Sequence, residues 1–231
     1  MRTLGLIPAK GASARLTRKN VRELAGRPLI GWAADAARAS GVIDRLIVST
    51  EDAEIAMEAR RLAIDVPFMR PAHLARDPAG VVQVALHALD ELERAGERFD
   101  TLIILLPTCP LRTADDIRGA VERFTERDGK FLLSVAPFDH TPLTALKLGD
   151  GDLLEPFFPQ YMEMVAKDMP KAYRPNGAIH VLDVAAFRVA RSYVAPPLIA
   201  YVMPRERSVD IDRAEDLAYA EFLLANGQRN G

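Results

Sequence analysis

A cluster of basic residues is the first group in this chain whose types and spacing suit chemistry on a phosphate. Lys10, Arg15, Arg18 and Lys19 surround a stretch of small residues at positions 11–14, directly after an apolar run at positions 4–7. Small residues let backbone N–H groups approach phosphate oxygens, and nearby cations neutralise the remaining charge. The spacing matches neither a P-loop nor a dinucleotide fingerprint. The segment is therefore a candidate phosphate-binding loop, with a solvated basic loop as the alternative.

A second candidate group is the aspartate pair Asp210 and Asp212, which flanks Ile211 after a strand-like run. On extended backbone, residues two apart point to the same side, so both carboxylates can face one metal ion while Ile211 faces the core. Magnesium takes one or two carboxylates and fills its other positions with water and phosphate oxygens. The alternative is that one aspartate caps the last helix, which for Asp212 is compatible with metal binding.

The elements that position these groups follow an alternating pattern. Continuous apolar runs predict buried strands at residues 4–7, 46–49, 66–69, 102–106, 131–135, 178–182 and 198–203. Apolar stripes at helical spacing predict helices at residues 29–37, 55–63, 81–92 and 214–224, and another helix has Asp115 and Asp116 in its first turn. This order predicts an α/β fold with a doubly wound, mostly parallel sheet. Ligands of such sheets bind beyond the carboxyl ends of the strands, where the basic loop lies.

Residues 138–176 break the alternation. They combine turn residues and prolines with apolar groups such as Leu153-Leu154 and Phe157-Phe158. The segment is too apolar for a flexible linker and too irregular for a crossover connection. We therefore expect one domain over residues 1–231, with residues 138–176 as an inserted arm whose apolar patch packs on a second subunit.

Composition narrows the class of protein. The chain has 231 residues, of which 49% are hydrophobic, and 30 Lys+Arg against 32 Asp+Glu give a net charge of −2. This balance argues against a nucleic-acid binder that relies on bulk positive charge. No apolar stretch approaches the ~20 residues of a membrane span, and the N-terminal apolar run is too short for a signal peptide, so we expect a soluble cytoplasmic protein. The single cysteine, Cys109, excludes an internal disulfide framework and a multi-cysteine zinc site.

A series of short motifs resembles the acylneuraminate cytidylyltransferase family, the CMP-sialic acid synthetases. The motifs lie in the family's order at residues 7–13, 19–21, 26–30, 47–52, 70–75, 106–113, 170–179 and 208–212. The resemblance implies a nucleotide-diphospho-sugar transferase-like fold and a magnesium-dependent reaction. CMP would pass from CTP to the anomeric hydroxyl of a nine-carbon 2-keto-3-deoxy sugar acid, of the sialic, legionaminic or a related type, releasing pyrophosphate. It also implies a homodimer in which the arm completes the neighbouring site.

The resemblance also implies roles for individual residues. Its nucleotide-binding positions are Lys10, Gly11, Ala12, Ser13, Arg15, Lys19, Asn20 and Arg70. Its substrate-binding positions are Leu106, Thr108, Arg112, Arg174 and Asn176, and its catalytic positions are Lys19, Asp210 and Asp212, the two aspartates holding Mg²⁺. Three alternatives stay open: Arg70 pairs only with a nearby acid, Arg112 is structural, and Arg174 is an exposed charge at the rim.

Departures from the family pattern concern the sugar rather than the nucleotide. Leu106 stands where relatives usually have glutamine, Thr144 where they have lysine, and Ala166 where they often have arginine. Leucine cannot form the hydrogen bonds of an amide, so we expect altered sugar specificity. The alternatives are the same reaction with another nucleotide or sugar acid, and a nucleotide-binding protein that has lost catalysis. Relatives have serine at Cys109, which argues against a nucleophilic thiol there.

Overall fold

The computed structural model describes residues 2–13 and 15–227; Ala14, in the stretch of small residues, lies outside the described residues. The strands are β1 (Thr3–Pro8), β2 (Glu23–Leu24), β3 (Arg27–Pro28), β4 (Arg45–Ser49), β5 (Thr101–Ile104), β6 (Phe131–Pro137), β7 (Leu146–Leu148), β8 (Leu154–Pro156), β9 (Tyr173–Asp183) and β10 (Leu198–Val202). The α-helices are α1 (Leu29–Ser40), α2 (Ala53–Arg61), α3 (Val81–Arg94), α4 (Ala114–Glu126), α5 (Val184–Ala190) and α6 (Ala214–Gly227).

The central sheet has the strand order β10-β6-β9-β5-β1-β4. Strand β1 pairs in parallel with β4 and β5, and β10 pairs in parallel with β6, whereas β9 runs antiparallel to both of its neighbours. Apolar side chains pack on both faces: Ile7 and Ile103 join a cluster with residues of α1, α2 and α4, while Leu6 and Ile104 join one with residues of α3 and α5. The predicted mostly parallel, doubly wound α/β sheet is confirmed.

The strand predicted at residues 66–69 is wrong. Just before this segment, Asp65 forms one isolated bridge with Ile47, and residues 66–69 themselves form no strand. Pro67 lacks a backbone N–H and cannot donate to a sheet ladder, so an apolar run that contains it does not continue the pairing. Arg70, which we expected at the end of this strand, lies in a loop and is held by a hydrogen bond from its backbone N–H to the carbonyl of Thr50 (2.8 Å).

The long strand β9 changes one boundary of the predicted arm. It begins at Tyr173, so residues 173–176 belong to the central sheet. The rest of the segment contains short 3₁₀ turns and the hairpin β7–β8, and carries exposed apolar side chains, among them Leu148, Leu153 and Phe157. Sequence reasoning missed α5 because it is short.

A buried carboxylate at the start of α4 ties the chain just before Asp210 to the helices. Asp116 accepts hydrogen bonds from the backbone N–H and Oγ of Thr113 (both 2.9 Å), and from Nε and Nη2 of Arg207 (both 2.8 Å). Its side chain is 3% exposed. Burial opposes ionisation of Asp116, but the hydrogen bonds from Arg207 and Thr113 outweigh it, so the pKa of Asp116 is lowered.

We expect Asp116→Asn to lower the free energy of unfolding by about 2 kcal/mol at pH 7, because the buried side chain loses its charge-assisted bonds to Arg207 and Thr113. A lowered folded-state pKa stabilises above the unfolded value, near 3.9, and this contribution is lost as the pH falls through the folded value. The difference in free energy of unfolding between wild type and Asp116→Asn, measured by urea unfolding, should therefore be largest at pH 7 and should shrink below about pH 4.

The matched control is Asp115→Asn, since Asp115 is 84% exposed and pairs with Arg118 at the surface. It should change stability by no more than about 0.5 kcal/mol. Equal effects of the two substitutions would contradict a special role for Asp116.

Candidate active site

A cleft of about 320 Å³ opens at the carboxyl end of β1, next to the loop that follows β5. This is the edge of an α/β sheet where ligands bind. The predicted site residues that line it are Lys10, Arg15, Lys19, Asn20, Arg70, Leu106, Thr108, Asp210 and Asp212. An apolar wall that the sequence did not single out, formed in part by Leu74, Val81 and Val84, faces them.

Two cations and one carboxylate meet in this cleft. Lys19 Nζ lies 2.7 Å from Asp212 Oδ1, and Arg15 Nη2 lies 2.8 Å from Asp212 Oδ2. Desolvation raises the pKa of Asp212, but the hydrogen bond from Lys19 and the charges of Lys19 and Arg15 outweigh it, so the net shift is downward. Asp212 is thus held ionised beside two positive charges.

Packing beneath this ion pair fixes the aspartate segment. Ile211 is fully buried and shares an apolar cluster with Leu16 of the basic loop, as the spacing of the pair predicted. The backbone N–H of Ile211 donates to the carbonyl of Thr108 (2.7 Å). Asp216, rather than Asp212, accepts hydrogen bonds from the backbone N–H groups of Asp212 and Arg213 at the start of α6. The carboxylate of Asp212 therefore faces the cations of the cleft, while the carboxylate of Asp216 caps the start of α6.

The basic loop is anchored by two of the residues predicted to bind nucleotide. The N–H of Gly11 donates to Glu51 Oε1 (2.7 Å), and Asn20 Nδ2 donates to the carbonyl of Lys10 (2.8 Å). Gly11, Ala12 and Ser13 are not among the described residues that line the cleft. In this structure, the amide of Gly11 and the side-chain amide of Asn20 shape the loop, while the cations of Lys10, Arg15 and Lys19 reach the cleft.

Arg70 lines the cleft and also pairs with an acid. Its side chain is 2% exposed, and Nη2 lies 2.5 Å from Glu51 Oε2. Arg70 therefore pairs with a nearby carboxylate, as the alternative proposed, and it also forms part of the cleft wall. Glu51 is not among the site residues predicted from the sequence, and its position directly after β4 is the signal that could have identified it.

Arg112 and Asn176, predicted to contact substrate, are buried away from the cleft lining. Arg112 Nη2 donates to the carbonyls of Leu106 and Cys109, and burial lowers the pKa of Arg112 to about 10. The side chain thus holds the 106–109 loop in shape. The structural alternative for Arg112 fits this position, and its contact with substrate stays a prediction.

The side chain of Asn176 is used entirely inside the protein. Its Oδ1 accepts from Ser134 Oγ (2.6 Å) and from the N–H of Ala178 (3.1 Å), and its Nδ2 donates to Ser208 Oγ (2.8 Å) and faces Met203 Sδ (3.4 Å). These bonds fill a bulge where the β6–β9 register shifts. Asn176 therefore joins the sheet to the segment before Asp210, and its predicted contact with the sugar stays a prediction.

Other sugar-side positions lie outside the cleft lining. Arg174 is half-buried in β9 and its Nη2 lies 3.5 Å from the carbonyl of Ser208, so it is not an exposed charge at the rim. Thr144 and Ala166 line a separate groove of about 710 Å³ between the arm and the sheet, near Tyr173 and Val202. Of the three departures from the family pattern, Leu106 alone lines the cleft.

The thiol of Cys109 is fully buried at the base of the 106–109 loop. Its Sγ donates to the carbonyl of Asn176 (3.0 Å). Burial, followed by the charge of Asp210, raises the pKa of Cys109 to about 12. A protonated, inaccessible thiol is a poor nucleophile, as the sequence predicted.

Comparison with known proteins identifies the kind of enzyme to which this geometry corresponds. A family model described as cytidylyltransferase matches residues 4–181. The chain belongs to the cytidylyltransferase family. The resemblance drawn from the motifs is thereby confirmed, and the chain is an enzyme of this type.

Relatives extend over the whole chain. It is 30% identical to a pseudaminic acid cytidylyltransferase of Campylobacter jejuni over 96% of both chains, and 32% identical to a CMP-N,N'-diacetyllegionaminic acid synthase of Legionella pneumophila over 99% of this chain and 98% of the other. An N-acylneuraminate cytidylyltransferase of Escherichia coli is 28% identical over 95% of this chain, which spans 52% of that relative's length.

A solved structure of CMP:2-keto-3-deoxy-manno-octonic acid synthetase complexed with CTP has the same fold, with a TM-score of 0.75 at 12% identity over 98% of this chain and all of the other. Among the residues that the structure describes, no helix of this cytidylyltransferase is both long and apolar enough to cross a membrane.

We expect Asn176→Ala to lower the free energy of unfolding by about 2–3 kcal/mol, because Ser134 and Ser208 lose buried partners. Urea unfolding at 25 °C measures this loss. Asn226→Ala, which removes one exposed bond to the carbonyl of Phe222, is the control and should be nearly neutral. A stability of Asn176→Ala equal to that of the control would argue against the supporting role.

We expect the thiol of Cys109 to be unreactive in the folded protein. A colourimetric thiol reagent at pH 8 should give almost no signal, and one equivalent after unfolding in guanidinium chloride, because the chain has one cysteine. Cys109→Ser should keep full turnover, since a hydroxyl can donate to the same carbonyl. Loss of turnover in a folded Cys109→Ser protein would reopen a chemical role for the thiol.

Proposed function

We propose that this cytidylyltransferase moves CMP from CTP to the anomeric hydroxyl of a nine-carbon 2-keto-3-deoxy sugar acid and releases pyrophosphate, with magnesium. The observation that carries the proposal is the cleft in which Lys10, Arg15 and Lys19 meet Asp210 and Asp212 at the end of β1. Relatives over the full chain are named for pseudaminic and legionaminic acid nucleotides, and a structural neighbour was solved with CTP.

The charges of the cleft suit a triphosphate. Lys19 is an ammonium with three N–H donors, so it can keep its bond to Asp212 and still donate to a phosphate oxygen. Arg15 bonds the other oxygen of Asp212 and is 62% exposed, which leaves its remaining donors open to a ligand. These cations would orient the triphosphate and offset its negative charge.

The aspartate pair fits magnesium by the chemistry of its donors. Asp210 and Asp212 offer hard oxygen ligands, and both line the cleft. Bound there, magnesium would neutralise phosphate charge and lower the pKa of the attacking hydroxyl.

In the proposed reaction, the anomeric oxygen bonds to the α-phosphorus of CTP and its proton passes to solvent. The bond from the α-phosphorus to the oxygen that leads to the β-phosphorus breaks, and pyrophosphate leaves with that oxygen. The residues of the cleft perform no covalent step. Their work is to hold the reacting groups in line and to stabilise the charge that develops.

Leu106 favours a second candidate, the same reaction on a different sugar acid. It lines the cleft at a position where an amide would hydrogen-bond a sugar hydroxyl or N-acyl group, and its apolar side chain cannot. A sugar acid with an apolar substituent next to Leu106 would lose no hydrogen bond through the replacement of glutamine by leucine. Loss of catalysis is disfavoured, because both aspartates and Lys19 are present in the cleft.

We further propose a homodimer formed through the arm. Leu148, Leu153, Leu154, Phe157 and Phe158 are exposed together on a segment that also carries Val165. Large apolar patches on a soluble protein mark an interaction surface, and a second copy would cover this one.

We expect the purified protein, supplied with CTP, magnesium and a panel of nine-carbon ulosonic acids, to release pyrophosphate with at least one of them. Asp212→Asn should lower the rate by at least ~100-fold, equivalent to about 2.7 kcal/mol in the barrier. Stability should change by no more than about 1 kcal/mol, because the ion pair is partly exposed. A coupled pyrophosphate assay and thermal unfolding measure the two effects.

The control is Asp128→Asn, whose carboxylate is 98% exposed and which does not line the cleft. No pyrophosphate with any sugar acid would refute the proposed reaction, and full turnover of Asp212→Asn would remove that residue from the metal site. Thermal shifts with CTP, GTP, UTP and ATP identify the nucleotide, since the cognate one should stabilise most.

A further inference from the structure

The two carboxylate oxygens of Glu51 accept hydrogen bonds from two separate loops at the cleft. It follows β4 at the same sheet edge as the basic loop, and its side chain is 16% exposed. Oε1 accepts the N–H of Gly11 at 2.7 Å, and Oε2 accepts Nη2 of Arg70 at 2.5 Å. One side chain therefore joins the loop after β1 to the loop before α3.

The backbone of Gly11 is closely packed. A Cβ built on Gly11 would lie 2.3 Å from Oδ2 of Asp52, so the backbone here packs directly against the residue that caps α2. The N–H of Ala9 donates to the carbonyl of Ser49 (3.0 Å) and continues the pairing up to this point. Gly11 therefore lies where the loop leaves the sheet, and its N–H is the group that Glu51 accepts.

Glu51 supplies the negative charge that a buried Arg70 guanidinium requires. The guanidinium is almost entirely buried, and its other hydrogen bond in the structure is a long one, 3.5 Å, to the carbonyl of Ala9. A buried cation that loses its counter-charge is strongly destabilised. The carboxylate therefore sets where Arg70 lies in the cleft wall, and Arg70 in turn shields an incoming triphosphate from the negative charge of Glu51.

We propose that Glu51 is a positioning residue for nucleotide binding, which couples the basic loop to Arg70 so that both are in place before the triphosphate arrives. Glu51 is not among the described residues that line the cleft, and it acts through Gly11 and Arg70. Preorganisation of this kind lowers the ordering cost of binding. The proposal rests on the proposed function, because it concerns the nucleotide of that reaction.

Glu51→Gln tests the proposal with little change in volume. The amide oxygen can still accept from Gly11, but the charge that holds Arg70 is lost. We expect the Kd and the KM for CTP to rise about tenfold or more, with kcat changed by less than about threefold, because the lost interactions act in ground state and transition state alike. Glu51→Asp keeps the charge on a shorter side chain and should recover part of the affinity.

Glu58→Gln is the matched control. It lies on α2, makes the same change of charge, and pairs with Arg61 at the surface. It should leave the Kd for CTP unchanged. A folded Glu51→Gln protein with the wild-type Kd would overturn the proposal, whereas a lowered Tm with an unchanged KM would show a structural role only and would overturn it as well.

Hydrogen exchange of the Gly11 amide, followed in the protein without nucleotide, separates this proposal from the proposed function. We expect slow exchange in wild type and in Glu58→Gln, and faster exchange in Glu51→Gln as the coupling to Arg70 is lost. An unchanged exchange rate would overturn the coupling. If wild type neither bound CTP nor released pyrophosphate, the proposed reaction would fail, and the exchange rates would still decide whether Glu51 orders the loop.

Discussion

The ion pair between Lys19 and Asp212 joins residues that are 193 positions apart in the chain. Lys19 follows the first strand and Asp212 precedes the last helix, so the contact joins the two ends of the fold. The packing of Ile211 with Leu16 places the backbone on which both side chains depend. Without that apolar contact, two flexible charged side chains at a solvent-facing edge would gain little from pairing.

Polar side chains buried under the cleft supply the remaining rigidity. Loops at the carboxyl edge have no ladder of sheet hydrogen bonds, and their carbonyls need other donors. Arg112 satisfies those of the 106–109 loop, Asn176 links the β9 bulge to Ser208, and Asp116 holds Arg207. Arg112 closes its own loop, whereas Asn176 and Asp116 bond to residues of other segments, so the network fixes loop positions that apolar packing alone leaves undetermined.

Much of the fold could be predicted from the sequence, because buried strands and helix faces leave periodic apolar patterns. The strand predicted at residues 66–69 failed at Pro67, where the pattern of apolar residues continues but the backbone cannot donate. The positively charged loop and the aspartate pair were also predictable as members of one site. The roles of Arg112 and Asn176 were not, since residue type shows what a side chain can bond but not whether the protein already uses those bonds. The role of Glu51 could not be predicted either, because its two partners, Gly11 and Arg70, lie in separate loops that are far apart in the sequence.

The burial of Cys109 has a practical consequence for studying the arm. Since the chain has one cysteine and it is inaccessible, the wild-type surface among the described residues offers no thiol for labelling. A cysteine introduced at an exposed arm position such as Asp150 would therefore carry a spin label or fluorophore at a single defined place. Distances between labels on separate molecules would then report the geometry of any assembly directly, with no need for a cysteine-free background.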